Sequence, residues 1–527
     1  MADEALIEAL RDPRCYPHPV EHVHVVETHI SWIVLTGDYA YKLKKPLNLG
    51  FLDFSTLEAR RSCCEEELRL NRRLAPDLYL EVVTVNGSPE CPAIGGPGPV
   101  LEYAVKIRQF REDGLLDRVQ ERGALLPAHV DALARLIAEF HHACESAPAG
   151  SAFGSPESVV LPARQNFEQI SALLSDPADQ ARLAALAQWT ERSGRALEAR
   201  FRARQRDGFV RECHGDLHLG NAFIEGTAIR IFDCIEFNAN LRWIDVMSDV
   251  AFMVMDLWHR NHPDLARRFL NGYLEQTGDY EGVAVLSYYL VYRALVRAKV
   301  ARIRSAQPDV PDAERAMDRS DYQRLVGLAE SFSAPRPLWV VLTHGVTGSG
   351  KSHFSQRLVE GIDSIRIRSD LERKRLAGLP RQAATGSPVG GGLYSDAANR
   401  STYQHVASLT GAMLDAGWSV IADAAFLERW QRDLVAEPAR LRHIPVIVLD
   451  FRASEATLRR RVTSRAGAGT DPSEATLAVL EHQLRCRQPL GRDERLEVST
   501  VDGEAVPDPG AIIAILERWG RANVSPP

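Results

Sequence analysis

Lysine is scarce in this chain. Of 63 basic side chains only seven are lysine: Lys42, Lys44, Lys45, Lys106, Lys299, Lys351 and Lys374. A surplus of positive charge is missing too. The net charge of −7 and pI near 6.2 leave no electrostatic footprint for a nucleic acid or an anionic membrane. No apolar run approaches the roughly 18 residues that span a bilayer. The opening stretch from Met1 to Asp12 is acidic and lacks the basic-then-apolar order of a secretory signal. The eight cysteines contain no C-x-x-C pair, and Cys63 and Cys64 are too close for an ordinary disulfide. Reduced thiols and a cytoplasmic protein are expected. Internal repeats and long low-complexity tracts are also absent.

What remains is an ordinary globular composition, 45% apolar and 25% charged, over 527 residues. At roughly 100–200 residues per domain, that length predicts at least two folding units. Ser331–Pro337, a short Ser/Pro stretch between a helical run and a strand, is the clearest seam. The expected division is 1–110 (mostly strands), 111–330 (mostly helices, with short strands around 209–233) and 337–527. After residue 337 strands and helices alternate, the pattern of a parallel sheet. Gly87–Pro99 reads as a hairpin loop, and Ala147–Pro156 as a surface loop between helices.

Where arginine is the default cation, a retained lysine points to a task suited to a compact charge, such as gripping phosphate. Lys351 closes Gly345-Val-Thr-Gly-Ser-Gly-Lys-Ser352, a G-x-x-x-x-G-K-[ST] loop between a predicted strand (338–343) and helix (352–359). Such glycines let the backbone curl so that its amides, including those of Thr347, Gly348, Ser349 and Gly350, turn toward phosphate oxygens. Lys351 is expected to reach the β- and γ-phosphates, and Ser352 to ligate Mg²⁺. Asp370, after strand 364–368, stands where a general base for an acceptor hydroxyl would sit, or caps the next helix, or does both. Asp423, closing strand 419–423, stands where a carboxylate would hold the metal through water. A helix bearing Arg459, Arg460, Arg461 and Arg465 precedes the Gly-bearing segment Ala466–Glu474. That order fits a lid that brings Arg461 and Arg465 to the transferring phosphate, or a solvated arginine face.

A second constellation lies upstream. His214-Gly-Asp216-Leu-His-Leu-Gly-Asn221 has the H-x-D-x-x-x-x-N spacing of kinase catalytic loops, and Asp233 follows a short strand. Asp216 is the expected base for the acceptor hydroxyl, with Asn221 and Asp233 as metal ligands. Lys42 stands on the third short strand, where a lysine would grip the α/β-phosphates. By alternation Lys44 shares its face and is its rival. On the following helix, Glu67 falls within the apolar arc of Cys63, Cys64, Leu68, Leu70 and Leu74, and Glu66 points away. A carboxylate set into an apolar face needs a partner, so Glu67 is expected to pair with Lys42. Asp245, Asp249 and Asp256 share one helical stripe. It reads as a solvent-facing stripe, with Asp249 available to the catalytic-loop backbone, or as an acidic wall for a cationic acceptor.

These residues carry two resemblances. The His214–Asn221 loop and the Ile231–Glu236 segment, with Phe232 as a departure, resemble the aminoglycoside phosphotransferase and choline kinase family over most of residues 20–300. The glycine loop and its successors resemble the small-molecule and polynucleotide kinase branch of P-loop proteins over roughly 337–520. The whole chain is similar to bacterial two-domain proteins that join these folds. The resemblance implies an α/β multidomain chain: an N-terminal protein-kinase-like part (α+β, two lobes), then a P-loop NTPase with a parallel sheet between helices. It also implies backbone of the Arg108–Arg111 segment as an adenine hinge. ATP and Mg²⁺ are the expected cofactors and a small-molecule hydroxyl the expected acceptor, with no membrane partner. Two alternatives stay open: a polynucleotide 5′-hydroxyl kinase in the C-terminal half, against which the missing basic stripe argues, and a nucleotide-sensing role for one half.

Overall fold

Alternation of side chains along Tyr39–Lys44 sets the layout of the first sheet. Tyr41 and Leu43 face one way, into a cluster with Leu6, Ile7, Leu10 and Tyr16. Ala40, on the opposite face with Lys42 and Lys44 by alternation, joins the cluster of Cys64, Leu78, Val105 and Ile107 under the helix Leu57–Asn71. The computed structural model describes the chain except residues 1, 49–51, 308–309, 384–385, 387–389, 469–475, 495, 507 and 524–527. By packing it divides into two compact units. Residues 1–132, 139–164 and 201–256 form one, and 133–138, 165–200 and 257–527 the other.

In the first unit, six described strands form an antiparallel sheet: β1 (His24–Glu27), β2 (Ser31–Leu35), β3 (Tyr39–Lys44), β4 (Tyr79–Ser88), β5 (Cys91–Ile94) and β6 (Val100–Arg108), in the order β1-β2-β3-β6-β4-β5. The expected hairpin loop at Gly87–Pro99 therefore contains a strand of its own, β5. Helix Leu57–Asn71 is capped by Thr56, whose side chain accepts from the Ala59 amide. Below the sheet, β7 (Val210–Glu212) pairs with β10 (Trp243–Asp245), and β8 (Ala222–Glu225) with β9 (Ala228–Ile231). Residues 213–221 run between β7 and β8. Gly215 holds φ +89° there, and a Cβ would lie 2.7 Å from the Leu241 carbonyl.

The expected solvent-facing stripe of aspartates is a buried one. Asp245, Asp249 and Asp256 are all under 4% exposed, because each carboxylate serves an internal donor. Asp245 closes β10 and takes both arms of Arg204 at 2.6 and 2.8 Å. Asp249 and Asp256 lie on helix Val246–His259. Asp249 accepts from the His214 and Gly215 amides at 2.8 and 2.9 Å, and Asp256 from the Leu219 amide at 3.0 Å. Period alone cannot tell a wet polar stripe from one that anchors a loop.

The second unit is built on a parallel sheet of five described strands: β11 (Val340–His344), β12 (Ile365–Arg368), β13 (Val420–Asp423), β14 (Val446–Arg452) and β15 (Glu497–Asp502), in the order β12-β13-β11-β14-β15. All of β11 is buried, as expected of a central parallel strand covered on both faces. Because β11 lies between β13 and β14, its carboxyl end opens at a topological switch point. β15 has no counterpart in the sequence reading: Glu-Val-Ser-Thr-Val-Asp is polar and half exposed because it lies on an edge. The unit also contains the antiparallel helices Val283–Ser305 and Asp312–Ser333 and helix Pro263–Thr277. Its packing does not stop at the Ser331–Pro337 seam. Asn271 donates to the Ser364 carbonyl at 3.0 Å and accepts from the Arg366 amide at 2.7 Å, pairing with the free edge of β12. Among the described residues no helix is long and apolar enough to cross a membrane.

One buried ion pair shapes the turn after β13. Arg432, fully buried, binds Glu494 through two bonds of 2.7 Å and donates to the carbonyl of Phe426, which holds a left-handed φ of +49°. Removing one partner leaves a buried charge unmatched. Glu494→Ala is expected to cost about 3–5 kcal/mol in denaturant unfolding of the second unit, whereas the exposed Glu455→Ala is expected to change it by less than about 1 kcal/mol.

Candidate functional site

In the first unit the structure brings Lys42, Glu67 and Asp233 together. Lys42 Nζ lies 2.8 Å from Glu67 Oε1 and 2.5 Å from Asp233 Oδ1. Lys44 Nζ meets Glu67 Oε2 at 2.5 Å and also pairs with Glu236. The two lysines are thus not exclusive rivals: both grasp Glu67, but only Lys42 reaches Asp233. Lys45 turns away to Glu27. Burial works against the charge on Lys42, yet Asp233, Glu67 and Glu236 outweigh it and hold the ammonium well above its usual value. Burial alone would likewise lift Glu67, but the two ammonium groups hold its carboxyl at about 2. Glu236, also buried, is raised by that burial despite Lys44.

Around this clamp, carboxylates remain open. The side chains of Asp233 and Asp216 keep 42% and 38% exposure, against none for Glu67. Asn221 Nδ2 donates to the Asp216 carbonyl and carboxylate at 2.9 and 3.0 Å. The β8–β9 register pairs Ala222 with Ile231, so Asn221 and Asp233 leave the hairpin at the same end. Asp233 sits at φ +65°, a backbone state rare for a side chain other than glycine. Its amide faces the Tyr79 hydroxyl at 3.3 Å, and the next amide, of Cys234, donates to Asn71 at 2.9 Å. Buried His214 is held below its ordinary pKa, chiefly by desolvation. As a neutral ring protonated on Nε2, it donates to the Phe232 carbonyl at 2.9 Å and accepts from the Asp216 amide at 3.2 Å. At the end of β6, Phe110 stacks on Phe223 with centroids 4.3 Å apart, and the Gln109 amide donates to Asp38.

In the second unit the chain curls at the carboxyl end of β11. Gly345, Gly348 and Gly350 hold φ of +149°, +79° and +97°. A Cβ at Gly345 would lie 2.9 Å from Ser349 Oγ and 3.0 Å from the Phe451 carbonyl. Ser349 Oγ is buried without a hydrogen-bond partner, which suits a loop that presents polar groups to an oxyanion. Lys351 Nζ folds back to the carbonyls of Gly345 and Val346 at 2.8 and 2.9 Å, and the Thr347 amide is held by Gln483 at 2.7 Å. Lys351, Ser352, Asp370 and Asp423 line one cleft of about 400 Å³. Asp423 Oδ2 accepts from Ser355 at 2.9 Å, one turn along the helix (Lys351–Gly361) from Ser352. Burial raises Asp370 against the pull of Arg373, Arg368 and Lys351.

Arg461 lies beside the glycine loop, outside this cleft, and donates to the Gly348 carbonyl at 3.1 Å. It lines a separate hollow of about 550 Å³ with Gly350, Phe354, Phe451, Val501 and Ala505. Arg459 turns outward to Glu455 and Glu481. The Arg465 side chain, and residues 469–475 of the expected lid, lie outside the described residues. Sequence reasoning gave no role to Ser355, Gln483, Lys44 with Glu236, or the Val501–Ala505 turn. Of these, Lys44 carried a signal as the rival of Lys42, and Glu236 as the last residue of the Ile231–Glu236 segment.

Two family models match the chain: residues 57–286 match the phosphotransferase enzyme family and residues 340–490 an AAA domain. It is an ATP-dependent kinase. Uncharacterized proteins of Mycobacterium tuberculosis and Mycobacterium bovis are 28% identical to this kinase over 474 residues, 89% of its length and 92% of theirs. Among solved structures it is similar to an amicoumacin kinase in complex with AMP-PNP, Ca²⁺ and Ami (13% identity, 62% of this chain and 93% of that one, TM-score 0.38). It is also similar to an ethanolamine kinase of Plasmodium vivax (9%, 60% and 82%, 0.38) and to Kti12 of Chaetomium thermophilum in complex with ADP-AlF3 (12%, 35% and 100%, 0.26).

The charge on Glu67 sets a pH dependence. Its carboxyl is depressed to about 2 from an ordinary 4.5, so its contribution to stability is complete above pH 4.5 and is lost as pH falls through 2. Acid unfolding of the first unit is expected to steepen across that window. Glu67→Gln should flatten this slope and, by leaving two lysines unmatched, cost about 3–5 kcal/mol at neutral pH. Denaturant titrations at stepped pH check both.

Proposed function

We propose that this kinase is bifunctional, with each unit moving the γ-phosphate of Mg-ATP to a hydroxyl group of a small molecule. The observation that carries the reading is the same in both units: one lysine, a set of metal-suited oxygens and an open or raised carboxylate meet at one place. In the first unit the donors that suit a divalent cation are Asn221 and Asp233, with Lys42 for the α/β-phosphates. Lys42 would exchange Asp233 for phosphate oxygen, while Glu67 and Lys44 keep its stem in place. In the second unit Ser352 and Asp423 would hold Mg²⁺, and the amides of Gly345–Ser352 with Lys351 would receive the phosphates. Bound Mg²⁺ supplies charge neutralisation between the β- and γ-phosphates.

The acceptor's oxygen forms a new bond to the γ-phosphorus as the bond to the β-phosphate oxygen breaks. The acceptor proton passes to Asp216 in one unit and to Asp370 in the other. A carboxylate raised by burial, such as Asp370, is the better proton acceptor near neutral pH. Arg461, hydrogen-bonded to the Gly348 carbonyl of the glycine loop, would bring positive charge to the phosphates, and the hollow it lines with Val501 and Ala505 would receive the base. The 400 Å³ of the cleft at Asp370 suits a metabolite-sized acceptor.

The test uses the full chain and a panel of small hydroxyl compounds, followed by ADP release. Lys351→Ala and Asp216→Ala are each expected to abolish one acceptor-dependent activity, by about 10²–10⁴-fold for Asp216, and to leave the other. Wild-type turnover in the double variant would overturn the reading.

A further inference from the structure

The metal carboxylate proposed for the second unit does not stand alone. Behind Asp423 lie two arginines of the edge strand β12. Arg366 Nη1 is 3.3 Å from the Ser355 hydroxyl that donates to Asp423, and Arg368 Nε is 4.0 Å from Asp423 Oδ2. Two guanidinium groups so placed would neutralise Asp423 and compete with a divalent cation. What holds them back is a glutamate from outside the P-loop match. Glu275, 3% exposed on helix Pro263–Thr277, takes Arg366 Nε and Nη2 at 2.9 and 2.6 Å on Oε1. Its other oxygen faces Arg368 at 3.6 Å and Arg381 at 3.4 Å. Burial alone would raise this carboxyl, but Arg366, Arg368 and Arg381 outweigh it and keep it below its usual value.

The position of Glu275 is fixed by a docked helix. Asn271, one turn earlier, pairs with both the Ser364 carbonyl and the Arg366 amide of the β12 edge. Arg267 reaches Asp363 at 2.6 Å and the Glu360 carbonyl at 2.9 Å, and Arg375 donates to the Glu275 carbonyl at 2.8 Å. The helix therefore meets β12 at two successive turns, through Asn271 and Glu275, and the segment just before the strand at a third, through Arg267. It lies inside residues 57–286, the stretch matched by the phosphotransferase family.

We propose that Glu275 is a positioning residue for the P-loop centre: it draws Arg366 and Arg368 away from Asp423 and so leaves that carboxylate free for Mg²⁺. A residue of the first matched family thus sets the metal affinity of the second. This rests on the reading of Asp423 as the metal carboxylate.

The test is titration of the full-length chain with a fluorescent ADP analogue over a series of Mg²⁺ concentrations, scoring the part of binding lost in Lys351→Ala. Glu275→Gln is expected to raise the Mg²⁺ concentration for half-maximal binding about tenfold, the scale on which a neighbouring cation alters a carboxylate. Binding without metal should be unaffected. Because the single change strands a buried arginine, Glu275→Gln/Arg366→Gln is measured beside it. That variant should still need severalfold more Mg²⁺, since Arg368 still borders Asp423 and no longer has the charge of Glu275 on its other side, and adding Arg368→Gln should return the wild-type requirement. A purely structural role would lower the melting temperature and leave the Mg²⁺ dependence alone. An unchanged requirement in the folded double variant, or a triple variant no different from the double, overturns the proposal. A wild-type chain with no metal-dependent, Lys351-dependent binding overturns the Asp423 reading along with it.

Discussion

A carboxylate withdrawn from water must be matched by cations, and this kinase meets that constraint in the same way beside both proposed centres. Glu67 is fully buried between Lys42 and Lys44, and Glu275 is buried among Arg366, Arg368 and Arg381. In each case one acid fixes at least two cations, and one of those cations borders the carboxylate proposed for metal. The desolvation cost is offset only while the whole group stays together. The clamps therefore give each centre rigidity that loops alone would not.

The two clamps use different cations for a physical reason. Lysine is a compact charge on a flexible stem, able to exchange a carboxylate for a phosphate oxygen. Arginine presents a planar fork that stays where a bidentate partner puts it. Lys42, which must switch partners in the proposed reaction, is a lysine; Arg366, which must stay parked on Glu275, is an arginine.

Much of this was legible in the primary structure. The glycine loop, the His214–Asn221 spacing and the strand-end carboxylates are local patterns, and Glu67 followed from one polar residue in an apolar helical arc. Other features were not legible. The aspartates of 245–256 looked like a wet stripe because period does not record what a carboxylate binds. β15 was invisible because an edge strand needs little apolar surface. Glu275 carried no signal at all, since its partners lie about ninety residues away and arginine is the chain's commonest cation.

The sequence by itself determined the local patterns: a glycine loop able to curl after a strand, carboxylates at strand ends, and a second polar loop with kinase-like spacing. Local backbone rules and rare residue choices encode these, so they survive without knowledge of the fold. Only the tertiary structure decided which lysine reaches Asp233, that Arg461 lies beside rather than within the cleft lined by Lys351, Asp370 and Asp423, and that helix Pro263–Thr277 packs on the parallel sheet. Those outcomes depend on burial, and burial is set by the whole chain at once.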